Sequence, residues 1–154
     1  MSLLVVAFLV GVVAGLRSMT APAVVSWAAR LGWLHLEGTP FAFLGHAATP
    51  WILSLLALVE LVTDQLPKTP SRKAPPGFIA RLVTGGFCGA ALGAPAGLLA
   101  GGLVAGVVGA VAGTFGGFEF RARLARAFGK DLPAALIEDL VAVGGGLLLV
   151  ARLG

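Results

Sequence analysis

Long apolar stretches alternate with short polar punctuation along this chain, and their lengths suit membrane helices better than amphipathic ones. Residues 3–16 are apolar throughout, about 21 Å as a helix, which is short for a hydrocarbon core of about 30 Å. Gly15, Arg17 and Pro22 then interrupt them. Residues 20–34 predict a second helix, with Thr20 as N-cap and Pro22 in the first turn. Ser26, Arg30 and two tryptophans place that helix at the interface or in a re-entrant position. A loop over 35–49 carries both histidines, and a second apolar span follows over 50–66, broken by Glu60, Thr63 and Asp64. The clearest loop is 67–77, where four prolines stand among Lys68, Arg72 and Lys73. A third span covers 78–93, and Gly-Ala-Pro-Ala-Gly at 93–97 turns or breaks it. A fourth span runs over 97–117, a basic amphipathic helix over 119–129, and a last span from Asp131-Leu132-Pro133 to about Ala151.

One pattern cuts across these elements. Gly85, Gly89, Gly93, Gly97, Gly101, Gly109, Gly113 and Gly117 recur every fourth residue, with Ala105 completing the series, and no charge lies between Arg81 and Glu119. Each interior glycine costs a water-exposed helix about 1 kcal/mol against alanine. In lipid the same ridge lets helices approach closely enough for dispersion to hold them. It predicts tight helix packing and a contact surface for a homodimer or larger oligomer.

Composition agrees with the pattern. The 154 residues are 58% hydrophobic and 12% charged with a mean hydropathy of +0.98, against about 25% charged in an ordinary soluble domain. The net charge of +4 sits in short loops, which fits membrane topology and gives no nucleic-acid footprint. A lone Cys88 excludes a disulfide scaffold or thiolate metal cage within the chain. A cleaved leader is disfavoured, because no base precedes the first apolar run and Arg17 separates it from Ala21-Pro22-Ala23. The reading is an all-α integral membrane bundle in one domain over 1–154, with about five spans and two interfacial or re-entrant helices.

Gly11-Val-Val-Ala-Gly15 echoes Gly109-Ala-Val-Ala-Gly113, and each is followed by a helix, one ending Ala29-Arg30-Leu31-Gly32 and the other Arg126-Ala-Phe-Gly129, and then by a proline-opened span carrying acids. The 67–81 stretch has four bases and no acid, so it is expected in the cytoplasm. With 20–34 and 119–129 not crossing, the N-terminus is cytoplasmic and the C-terminus outside. The span 3–16 then opposes its partner 97–117, an inverted repeat of about 3–66 against about 78–152.

Candidate chemistry is sparse. Glu60 and Asp64 lie one turn apart on one helix face. Asp64 falls at headgroup level, whereas Glu60 is deeper, where a carboxylate costs about 2.5–3.5 kcal/mol and faces a cavity, a cation or a proton path. Glu60 paired with a buried arginine is the structural alternative. Glu138 and Asp139 stand near the start of the last span, where acids suit the helix dipole, and Glu138 is expected within reach of Glu60 as a proton or cation site. Arg17, at a broken helix, either snorkels or binds an anion with the free amides that follow it. Lys68, Arg72, Lys73, Arg121, Arg123 and Arg126 are expected to hold lipid headgroups. No metal, cofactor or nucleophile–base set is predicted, hence no enzyme.

Gly-Leu-Arg-Ser-Met-Thr-Ala-Pro at 15–22, Trp-Ala-Ala-Arg-Leu-Gly-Trp at 27–33 and the 60–72, 113–119 and 131–139 segments resemble a family of small bacterial membrane proteins, domain of unknown function 4126. The resemblance implies a bacterial inner-membrane location and no activity. The leading expectation is a small transporter or channel for an ion or small polar solute, with proton coupling through the acids. The alternative is a non-transporting interaction or lipid-binding protein. A polar cavity lined by Glu60, Glu138 or Arg17 favours the first; the same side chains paired in a dry interior favour the second.

Overall fold

The computed structural model describes residues 3–34, 36, 38–63, 75–129 and 131–151. Among them there are six α-helices and no strand: α1 Leu3–Leu16, α2 Thr20–Arg30, α3 Thr49–Thr63, α4 Pro75–Gly93, α5 Leu99–Phe128 and α6 Asp131–Ala151. Two stretches, Phe78–Ala96 and Leu99–Leu124, are long and apolar enough to cross a membrane. Prolines open α3, α4 and α6 within their first turns, where the missing N–H costs nothing.

The break at 93–97 is a hairpin. Ala94–Ala96 forms a single 3₁₀ turn, and Gly97 adopts a left-handed φ of 73°. The Leu98 amide donates to the Gly93 carbonyl at 2.9 Å and the Gly97 amide to Ala94 at 3.1 Å. That pair of bonds is a Schellman closure, which favours glycine at the left-handed position.

Contacts along the helices fix their directions. A Cβ added at Gly93, Gly89 or Gly85 would overlap or crowd main-chain oxygens of Leu98, Gly102 and Gly106 respectively, so α4 and α5 are antiparallel. One added at Gly11 would overlap the Gly106 oxygen, and one at Gly15 the Ala110 oxygen, so α1 runs parallel to α5. Trp27 pairs with Ser54 and Ser18 with Glu60, making α2 and α3 antiparallel. The six helices therefore alternate in direction through the chain. This corrects the expected inverted relation between 3–16 and 97–117, which instead lie side by side in the same direction. The inverted relation holds only with 20–34 not crossing; α2 instead runs antiparallel to α3 and carries the chain away from the Arg17 end.

Two further expectations change. The 119–129 segment is not a separate interfacial helix; α5 continues unbroken through Gly116-Gly117 to Phe128, because paired glycines weaken a helix without stopping it. It ends only at Gly129, where φ is 70°. Nor is the glycine series one ridge. The eight steps from Gly85 to Gly117 cross from α4 through the 93–97 turn into α5, and each four-residue step overshoots a full turn by about 40°, so the series leaves any single face. Gly85, Gly89 and Gly93 face α5, Gly109 and Gly113 face α1, Gly97 forms the turn, and Gly101 meets only the Leu4 side chain. Gly102, Gly106, Gly11 and Gly15, outside the series, complete the close contacts. These glycine faces are spent within one chain, which removes the argument for oligomerisation that rested on them.

Around this three-helix contact, α6 packs against α5, α1 and α2, while α3 packs against α2 and the 3₁₀ turn Ala42–Gly45. The core is built of small apolar side chains such as Val10, Val25, Ala28, Cys88 and Val150. Large apolar side chains face outward: Trp51 is 68% exposed, Leu140 73% and Leu148 70%. Arg17, Ser26, Thr114 and Glu138 are fully buried.

Candidate functional site

The charges gather at one end of the bundle because the alternating helices bring the end of α1, the start of α2, the late turns of α3 and α5 and the early turns of α4 and α6 to one level. Arg17 follows the last residue of α1, its amide still bonded to the Val13 carbonyl at 2.8 Å. Its side chain enters the interior with no exposed surface. Nε donates to Asp139 Oδ1 at 2.6 Å, Nη2 pairs with the same oxygen, and Nη1 donates to the Leu16 carbonyl at 3.1 Å. Glu138 Oε2 stands 3.9 Å from Arg17 Nη2 and 3.8 Å from Arg121 Nη1, so this carboxylate lies between two guanidinium groups.

Residues 17–19 separate α1 from α2, and their amides are claimed from a distance. Glu60 of α3 accepts from the Ser18 amide at 3.0 Å and the Met19 amide at 2.9 Å, and also from the Ser18 hydroxyl. Thr20 is not the cap. It is the first helical residue, preceded by Met19 at φ −90°, ψ −17°, and its hydroxyl is buried without a hydrogen-bond partner. A carboxylate 42 positions along the chain does the work expected of a local hydroxyl. The anion site anticipated at Arg17 and the amides after it is thus present in outline, and the protein's own acids occupy it. Asp139 takes the guanidinium and Glu60 takes the amides.

Arg81 completes the cluster. It is 7% exposed, and Nε donates to the Gly15 carbonyl at 3.1 Å, tying α4 to the end of α1. Read from sequence it counted only toward loop charge; its position inside an apolar span was the available signal for a buried partner. Thr114 closes the layer by bonding back to the Ala110 carbonyl at 2.8 Å. Arg17, Arg81 and Arg121 thus stand with Glu60, Glu138 and Asp139, three cations with three anions.

Glu60 and Glu138 do not act on a common partner in these contacts: one holds amides of the 17–19 break and the other sits between arginines. Arg123 and Arg126 lie beyond the cluster on the exposed last turns of α5. Asp64, Lys68, Arg72 and Lys73 lie outside the described residues. Among the described residues no group of three or more His, Cys, Asp or Glu side chains is arranged to hold a metal.

The opposite end is aromatic. The Trp27 and Trp51 rings meet edge to face at 5.1 Å, Trp27 Nε1 donates to Ser54 at 2.7 Å, and Phe87 meets Phe41 edge to face and Phe43 at a tilt. Ser26, buried below them, donates to the Leu44 carbonyl at 2.5 Å and anchors the 3₁₀ turn to α2. Comparison with protein-family models, with curated proteins and with solved structures finds no match for this chain.

Proposed function

We propose that this chain is an integral membrane protein that organises lipids or partner helices in the bilayer, and that its buried charges fasten the bundle together instead of conducting a solute. The observation that carries this is the exchange of places between polar and apolar groups. Arg17 and Glu138 are fully buried while Trp51, Leu140 and Leu148 are largely exposed. In water that distribution inverts the usual order and leaves many large apolar side chains facing solvent. In hydrocarbon it satisfies both solvents, since intramembrane charges face inward and pair.

We read the alternation of directions as six traverses, of which Phe78–Ala96 and Leu99–Leu124 are long and apolar enough to span the bilayer unaided. Lys68, Arg72 and Lys73 lie in the chain between α3 and α4, so positive charge assigns the charged end to the cytoplasm. Residues 3 and 151 then both emerge on the outer side, and the tryptophan end forms the outer aromatic belt. The resemblance to a bacterial inner-membrane family supports that membrane as the location.

Every charge in the cluster has a partner, which supports fastening over conduction. Transport of an ion or small polar solute is the second reading, and one observation favours it: Arg17 and Glu138 are fully buried ionisable groups, which mark ion and proton pathways inside membranes. Reconstituted vesicles separate the two. The protein should resist carbonate extraction and float with the vesicles, and vesicles holding it should pass protons, alkali ions and halides no faster than empty ones. A flux that native protein supports and Glu60→Gln abolishes would overturn the fastening role in favour of transport.

A further inference from the structure

We infer that the last turns of α5 bind an anionic phospholipid through Arg123 and Arg126, an inference that rests on the membrane reading above. Three observations converge. The first is length. α5 has 30 residues, about 45 Å of helix, against a hydrocarbon thickness of about 30 Å. The hairpin at its start and the uncharged run to Phe118 place the surplus at the charged end, so the final turns stand at headgroup level.

The second is the order of exposed groups along the helix. Phe115 and Phe120 are exposed apolar side chains, and Arg123 and Arg126 are the exposed basic residues just past them. Acyl chains and phosphate meet a membrane helix in that sequence. The third is the division of labour among the arginines. Arg121 turns inward to Glu138, whereas neither Arg123 nor Arg126 is held by an ion pair among the described residues. The two are three residues apart and share a helix face, a spacing that lets two guanidinium groups close on one phosphate. Glu119, four residues before Arg123 and also exposed, offsets one charge on that face and leaves it net positive.

Arg126 also lies in the last turn, where a cation favours the helix dipole. A purely local role of that kind predicts no lipid preference. Native mass spectrometry of the full chain, released from detergent with equimolar phosphatidylglycerol and phosphatidylcholine, tests the inference. Native protein should retain phosphatidylglycerol preferentially. Arg123→Gln with Arg126→Gln should lower that retention by roughly fivefold per arginine, about 25-fold for the pair, with helix content unchanged by circular dichroism. Arg123→Lys with Arg126→Lys should keep most of it. Equal retention of the two lipids by native protein, or unchanged retention in the glutamine variant, would overturn the inference while leaving the membrane reading intact. A chain that stays monodisperse in water without detergent would sink the membrane reading itself.

Discussion

The glycine contact among α1, α4 and α5 and the charged layer joining α1 to α3 and α6 hold the same molecule by opposite means. In the first, backbones touch backbones: Gly89 and Gly102 face each other so closely that a Cβ on either would overlap the other's carbonyl oxygen. Nothing there is directional except shape. In the second, side chains reach across as many as 122 positions of sequence to find one another, and direction is everything. Under the membrane reading neither region draws on the hydrophobic effect, because lipid tails are as apolar as the side chains. Contact shape and polar pairing are the two resources left, and the chain assigns one to each half of the bundle.

The sharpest way to break that comparison is to fill the glycine contact. Gly106→Leu drives a side chain into the main chain of Gly85, which has no rotamer to yield. A loss above about 3 kcal/mol is expected, read as the disappearance of monodisperse protein in detergent. Retention of a native-like melting curve would disprove the packing. Next in size is Arg17→Met, which strands the Asp139 and Glu138 carboxylates and should cost about 3–5 kcal/mol in thermal or denaturant unfolding. Adding Asp139→Asn should restore part of that loss, since neighbours in one network are non-additive; simple addition of two losses would argue against a shared pair.

Glu60→Gln keeps the shape but replaces an acceptor oxygen with a donor facing other donors. It should cost about 1.5–3 kcal/mol and quicken hydrogen exchange at the Ser18 and Met19 amides. Protection unchanged at those amides would show that Glu60 does not hold the break. The smallest effect belongs to a glycine outside both regions. Gly145 has open space around its missing Cβ, so Gly145→Ala should raise stability by about 0.5–1 kcal/mol. A loss there would mean that a partner covers that face.

The sequence yields the elements more readily than their arrangement. The bounds of α1 were legible because Arg17 ends an unbroken apolar run, and the end of α4 and start of α6 because Gly93 and Pro133 punctuate them; α4 itself begins at Pro75, inside the stretch expected as loop, because proline is tolerated in a first turn. The hairpin at Pro95 had a readable break but no readable sense, since a turn and a kink share the same residues. α5 was divided in two because Gly116-Gly117 and the following charges imitate a helix end, and the i to i+4 backbone bonds continue regardless. The directions turn on one helix. Ser26, Arg30 and two tryptophans suit an interfacial α2 as well as a crossing one, and only the structure shows that Ser26 and Trp27 bond within the protein and that the helix is buried. Arg17, Glu60, Glu138 and Asp139 stood out singly as charges in apolar surroundings. Their pairing did not, because no local spacing links residue 17 to residue 139.

The balance of the charged layer has an electrical meaning. An elementary charge crossing a membrane potential gains or loses about 2.3 kcal/mol per 100 mV, enough to tilt a marginal bundle. Under the membrane reading, and with all six groups ionised, Arg17, Arg81 and Arg121 offset Glu60, Glu138 and Asp139, so a membrane potential exerts little net pull on the six as a unit.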